Sequence, residues 1–230
     1  TPGWKGELFR SQADLESLIM AANGAGFPVS VHAIGDAAVN VTLNAYANVR
    51  KPLAGGLQNR IEHIEVIDPD DVMRFARLGV VASMQPNHAT GTIGKYITER
   101  IGTEREPWAY VWQKMIANRV PLVFGSDWPT SPMSPLTQIN DAVFRESPFG
   151  LGNGPWHAEN AVTFDQALFA YTQAGANMTP WAKEIGSITV GKWADFVILD
   201  GTLPAPLDRS VRQRHVQSTY LAGKRVFEKH

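Results

Sequence analysis

Apolar positions along this chain switch repeatedly between helical and strand periods. Leu15, Leu18, Ile19 and Ala22 fall on one helical face behind Ser11, whose partner Asp14 completes a capping box. Gly24 and Gly26 stop that helix, and residues 28–34, entered through Pro28 and rich in β-branched side chains, predict a strand. A helix over 37–50 follows, with Asp36 as its expected N-cap and Val39, Leu43 and Tyr46 along it. Pro52 and Gly55-Gly56 break the chain before a second strand at 58–65. Asp68-Pro69-Asp70-Asp71 then starts a helix: a cap, a proline in the first turn, and acids facing the helix dipole. Gly79 ends it, and Val80 to Gln85 form a third strand.

The polar stretch from Pro86 to Glu106, with Gly91, Gly94 and Gly102, predicts a long loop. A helix carrying Trp108, Val111, Trp112 and Met115 comes next, then a fourth strand at Val120 to Phe124. Ser134-Pro135 opens a helix to about Phe144, Ser147 to Asn160 is a Gly/Pro-rich loop, and Thr163 to Ala174 is a helix with a Thr-x-x-Gln box. Strand and helix alternating four times imply a parallel sheet with right-handed crossovers, an α/β fold. After Trp181 the character changes. Gly186 to Gly191 and Ala194 to Leu199 read as short strands, and 215–221 with 225–228 as a hairpin about Gly223. The chain thus divides into an α/β part, 1–184, and a β-rich segment, 185–230.

Three of the strands end on polar residues followed by turn chemistry: Val29-Ser-Val-His32, Arg60-Ile-Glu-His63 and Leu122-Val-Phe-Gly-Ser-Asp127. A buried parallel strand needs apolar side chains on both faces, so a polar residue at its last position points toward the mouth where ligands bind. A single such histidine is more often structural; three potential ligands at equivalent ends are what a metal site at the mouth of a β/α barrel requires. A full barrel has eight strands, and about four are legible here. Asp127 is the candidate ligand and proton carrier, with an N-cap after Pro129 as its structural alternative. Glu62 has opposite parity to His63, so it is expected to pair with a basic residue on the other side of the strand. His88, just past the third strand, is a candidate for substrate contact or oxyanion stabilisation, or an ordinary loop histidine; Trp128 beside Asp127 is a candidate pocket wall.

Composition narrows the chemistry. Among 230 residues there are no cysteines, so any metal is held by nitrogen and oxygen ligands. The formal net charge of -1, with both signs scattered, gives no footprint for nucleic acid, and no apolar run reaches the ~18 residues of a membrane span. No Gly-rich phosphate loop opens a helix, and Gly24-x-Gly26 precedes a strand instead of following one.

His32-Ala-Ile-Gly-Asp36, Arg60-Ile-Glu-His63, Ser83-Met-Gln-Pro86, Gly125-Ser-Asp127-Trp-Pro129 and Gly191-Lys-Trp-Ala-Asp-Phe-Val-Ile-Leu199, in this order, resemble the amidohydrolase superfamily of metal-dependent hydrolases. The branch they resemble is the amidohydrolase-3 group, which includes N-substituted formamide deformylase-like enzymes. The similarity runs from about residue 5 to the C-terminus. It implies the C-terminal half of a TIM-type (β/α)8 barrel, about four β/α units, followed by C-terminal strands of a small β-sandwich domain. It also implies that His32 and His63 are ligands from barrel strands 5 and 6, with Asp127 the strand 8 ligand and general base, and zinc the expected divalent metal. The family's first-strand His-x-His is absent, since His32 is the only histidine before residue 60, and Ala37 stands where the family often has Arg.

These readings yield a set of expectations. The chain is a fragment of a metal-dependent amidohydrolase acting on an amide or formamide-type C–N bond of a small molecule, inactive alone and cytoplasmic. It begins without Met, so its start is expected to lie inside a longer product. Open sheet edges would favour a homo-oligomer or the missing N-terminal half as partner. The alternative is a non-catalytic half-barrel that assembles with itself or another chain.

Overall fold

The computed structural model describes residues 6–49, 53–90, 92–146 and 154–229. Helix α1 (Gln12–Gly24) starts at the Ser11/Asp14 capping box, as its sequence dictates. Strand β1 (Ser30–Ala33) leads to α2 (Asp36–Asn48), β2 (Arg60–His63), α3 (Pro69–Leu78) and β3 (Val81–Met84). Asp68 caps α3 by accepting from the Asp70 amide, and Gly79 closes it at φ 66°, a left-handed geometry that glycine adopts without strain. Asp36 is not the N-cap of α2. Gly35 holds that position, and Asp36, one residue inside the helix, accepts from the Ala37 amide and ion-pairs with Arg105.

The stretch read as a long loop is instead helical: α4 (Pro86–Thr90) and α5 (Thr92–Ile101). Glycine inside a helix costs only about 1 kcal/mol, and burial of Ile97 helps to hold α5 in place. The helix expected around Trp108 is shorter than its sequence suggests, a 3₁₀ turn at Glu106–Trp108 and then α6 (Trp112–Ala117). Between them Ala109 pairs with Val66 as an isolated bridge, and the Tyr110 amide donates to the Glu65 carbonyl at 2.9 Å. That pairing draws the backbone out of helix. Strand β4 (Leu122–Phe124) and α7 (Pro135–Phe144), capped by Ser134, follow.

Of the Gly/Pro-rich loop, residues 147–153 lie outside the described residues; Ala158–Asn160 forms a 3₁₀ turn. The predicted helix from Thr163 is split into α8 (Phe164–Tyr171) and α9 (Gln173–Ala176), broken at Thr172, whose hydroxyl donates to the Leu168 carbonyl. Beyond them lie β5 (Phe196–Leu199), β6 (Val216–Leu221) and β7 (Lys224–Glu228). The strand expected at 186–191 is absent. That segment has no strand partner among the described residues, and Ile188 and Val190 are fully exposed.

Strands β1-β2-β3-β4 form one parallel sheet in sequential order, and β5-β6-β7 a separate antiparallel sheet. This is the α/β class that the strand–helix alternation predicts. The register His32↔Glu62↔Ser83↔Val123 aligns one face, and Ala33, Ile61, Ala82, Met84, Leu122 and Phe124 on the other face belong to the main core. The His32 face is buried at β3 and β4, where Val81 and Val123 pack with Ala174, and carries a polar cluster at its β1/β2 side. Glu62 accepts from Ser30 and ion-pairs with Arg60 at 2.6 Å. Glu62 therefore does pair with a basic residue, and the face it occupies is that of His32. Burial raises its pKa, but hydrogen bonds from Ser30, Ser83 and Arg60 outweigh burial and hold the carboxyl below its ordinary value. No helix among the described residues is long and apolar enough to cross a membrane.

Candidate metal centre

The carboxyl ends of the four parallel strands carry the polar residues. His32 lies at the third position of β1, and His63 closes β2. Their rings meet edge-on with centroids 4.4 Å apart. The His63 ring in turn stacks on His88 at 5.7 Å and 10°. His88 is 3% exposed, in the single turn of α4 that follows β3. Its Nδ1 lies 3.4 Å from Glu65 Oε1 and its Nε2 3.7 Å from Asp127 Oδ2. The three residues predicted to converge, His32, His63 and Asp127, are thus brought to one place, with His88 and Glu65 between and behind them.

The backbone holds this arrangement at some cost. His63 (φ 76°) and Ile64 (φ 50°) are consecutive residues in the left-handed region, and Asp127 (φ 55°) is another. Such non-glycine positions cost of order 1 kcal/mol each and persist only where the surroundings fix them. Here the Ile64 amide donates to Ala33 O, Val66 to Ile34 O, and Ile67 to Trp108 O. The segment bearing Glu65 is pinned on both sides. After β4, the Trp128 amide donates to Ser126 Oγ and the Thr130 amide to Asp127 O, which fixes the turn presenting Asp127.

Glu65 was not singled out from the sequence. It lies beyond the end of β2, after two left-handed residues, so strand alternation gives no signal for it. Nδ1 and Nε2 of His88 and Nδ1 of His63 are buried without a hydrogen-bond partner among the described residues. A buried polar atom left unpaired costs about 1–3 kcal/mol, so such nitrogens call for a proton partner or a cation. His63, Glu65 and His88 each offer a ligand atom within 4.8 Å of the others. Imidazole nitrogen with carboxylate oxygen is a donor set that suits a borderline divalent cation such as zinc. Burial first, then the neighbouring His32, hold the His63 imidazole below its ordinary pKa against the pull of Asp127. The neutral ring is the form that ligates metal. Trp128 is 65% exposed beside Asp127.

Fold and site together define an α/β protein with a histidine–carboxylate cluster at the carboxyl ends of its parallel strands. The amidohydrolase family model matches residues 3–227, and the chain belongs to that family. It is 32% identical over 231 aligned residues to Protein LONG AFTER FAR-RED 3 of Arabidopsis thaliana, covering 99% of this chain and 39% of that protein. It is 28% identical to the N-substituted formamide deformylase of Arthrobacter pascens, covering 97% and 41%. Among solved structures, an uncharacterized metal-dependent hydrolase from Pyrococcus furiosus aligns with a TM-score of 0.69 at 30% identity, over 84% of this chain and 37% of that one. The chain therefore spans well under half the length of each of these proteins.

Proposed function

We propose that these residues form part of the active site of a metal-dependent hydrolase that cleaves an amide or formamide-type C–N bond. The four-stranded sheet is read as an arc of a (β/α)8 barrel, residues 1–184, and the β5-β6-β7 sheet as part of a β-sandwich, residues 185–230. The observation that carries the proposal is the convergence of His32, His63, Glu65, His88 and Asp127 with buried imidazole nitrogens unpaired. The similarity to an N-substituted formamide deformylase supports the C–N substrate class.

His32 and His63 would hold the metal with Asp127, and Glu65 and His88 are close enough to complete or support that set. A bound zinc ion would polarise the scissile carbonyl and acidify a water toward a pKa of ~7. Asp127, at the solvent side of the cluster, takes the proton from the attacking water and returns it to the leaving nitrogen. Glu65 beside Nδ1 favours the His88 tautomer with its proton on that nitrogen. The Nε2 lone pair then faces Asp127 and accepts a hydrogen bond whenever Asp127 is protonated. Trp128 offers an apolar wall for the substrate at the mouth.

The site as it stands is incomplete in this reading, because no His-x-His pair occurs in the sequence. The 230 residues alone are expected to bind zinc weakly and to hydrolyse nothing. Zinc titration by calorimetry, with wild type, His63→Ala and His215→Ala, tests the metal assignment. His63→Ala is expected to lower affinity at least tenfold and His215→Ala to leave it unchanged; equal binding by all three would remove the metal centre. Hydrolysis of N-formyl amides by the chain alone, lost in Asp127→Asn, would overturn the inactivity. A second reading rests on the sheet's ends: among the described residues neither β1 nor β4 has a strand on its outer side. A half-barrel that pairs with a copy of itself would run as a metal-free dimer on size exclusion.

A further inference from the structure

Asp141 is a fully buried carboxylate on α7. Its Oδ2 accepts from Asn87 Nδ2 at 2.8 Å and its Oδ1 from Asn140 Nδ2 at 3.3 Å. Among the described residues no cation forms an ion pair with it. We propose that Asp141 is a positioning residue for His88, holding Asn87 and through it the single helical turn that aims the His88 ring between Glu65 and Asp127. The purpose of that positioning rests on the hydrolase reading; the mechanical coupling does not.

The argument begins with the length of α4. Five residues make little more than one turn, and a turn that short has too few internal hydrogen bonds to hold its own orientation. Consecutive helical residues point about 100° apart, so a turn that shows Asn87 to α7 shows His88 to the strand ends. The His88 amide is tied to Gln85 O at the start of the turn. All five residues of the turn are buried and Ala89 packs in the main core; the polar side-chain tie from the turn to α7 runs from Asn87, whose hydrogen-bond acceptor among the described residues is Asp141. Loss of that bond leaves packing alone to set the turn's orientation, and a small shift of the turn moves the His88 ring relative to both carboxylates.

The anchor is also sensitive to protonation. Burial pushes the Asp141 carboxyl up to about 6, against the hydrogen bonds from Asn87 and Asn140. Thr90 of α4 and Arg212 of the 209–213 turn face the same carboxylate and favour its ionised form, and Tyr171 of α8 lies within its field. When ionised, both oxygens accept. When protonated, one oxygen becomes a donor, and the grip on two amide groups is weakened.

The test uses the isotope-labelled full chain without metal or substrate, followed by NMR. The side-chain NH2 signal of Asn87 is expected to move with a midpoint near 6 in wild type and to stay flat in Asp141→Asn. At about pH 8, where an ordinary imidazole is neutral, the His88 ring signals are expected to shift in both Asp141→Asn and Asn87→Ala. Asn140→Ala removes a donor that does not belong to α4 and should leave them in place. A titration of Asn87 that survives in Asp141→Asn would overturn the proposal, because the proton would then belong to another group. So would His88 signals unchanged in Asn87→Ala. If Asp141→Asn does not fold, the Asn87→Ala and Asn140→Ala pair still decides. Equal zinc binding by wild type and His63→Ala would remove the metal centre and leave this coupling to stand or fall separately.

Discussion

Replacing Arg145 with methionine should cost less stability than replacing it with lysine. Arg145 is 1% exposed at the end of α7 and lies between two indoles, with its guanidinium carbon 4.4 Å from the Trp112 ring centre and 5.0 Å from that of Trp156. Its Nε donates to Trp156 O at 2.8 Å and its Nη1 to Tyr110 O at 3.5 Å, while Nη2 is buried without a hydrogen-bond partner. Burial lowers its pKa from 12.5 to about 10. A base whose folded pKa is depressed destabilises the fold at any pH below both values, here by about 3 kcal/mol.

Against that cost stand two desolvated cation–π contacts, worth about 2 kcal/mol each. Methionine relieves the charge penalty and regains about 1 kcal/mol from sulfur–aromatic contact, but it forfeits the cation–π contacts and the two hydrogen bonds. The net loss is about 1–2 kcal/mol. Lysine keeps a charge that is more strongly hydrated, and it loses the planar fork that stacks on both rings; its net loss is about 3–4 kcal/mol. Urea unfolding near neutral pH, at equal m-values, measures both. A lysine variant as stable as the methionine variant would show that attraction to the rings outweighs desolvation, and the reasoning would fail.

Asp127→Gly removes the cost of a left-handed non-glycine residue and should raise thermal stability by about 0.5–1 kcal/mol, whereas Asp127→Ala should not; parallel melting curves check both. Asp141 has a folded pKa raised to about 6 from 3.8, so the folded state binds the extra proton between those values and stability falls as pH rises through that window. The penalty is absent below the window and full above it. Asp141→Asn is therefore expected to flatten the stability–pH curve there, by up to about 3 kcal/mol, as read by urea unfolding across the range.

Much of the fold is legible because it rests on local chemistry that a sequence states outright. The Ser11/Asp14 and Thr163/Gln166 boxes and the Asp68-Pro69 start lie where the residues place them, and each of the four parallel strands falls within its apolar run. Where tertiary contacts override local preference, the reading fails. The bridge to Val66 pulls Ala109 out of a helix, and the lack of a partner leaves 186–191 unpaired despite a strand-like composition. The site divides in the same way. Residue type and strand-end position are enough to bring His32, His63 and Asp127 together on paper, because polar side chains at the ends of parallel strands gather where the sheet opens. Strand alternation, however, puts His32 and His63 on opposite faces: His32 is in register with Glu62, and His63 with Ala33. Their rings are nonetheless 4.4 Å apart. The left-handed backbone at His63 and Ile64 ends the alternation there and carries the chain on to Glu65, the residue that sequence reasoning missed. No propensity predicts two such residues in a row, one of them β-branched. The place where the local rules break is the place where the imidazole and carboxylate side chains gather, as expected if strain at this turn is retained for what it positions.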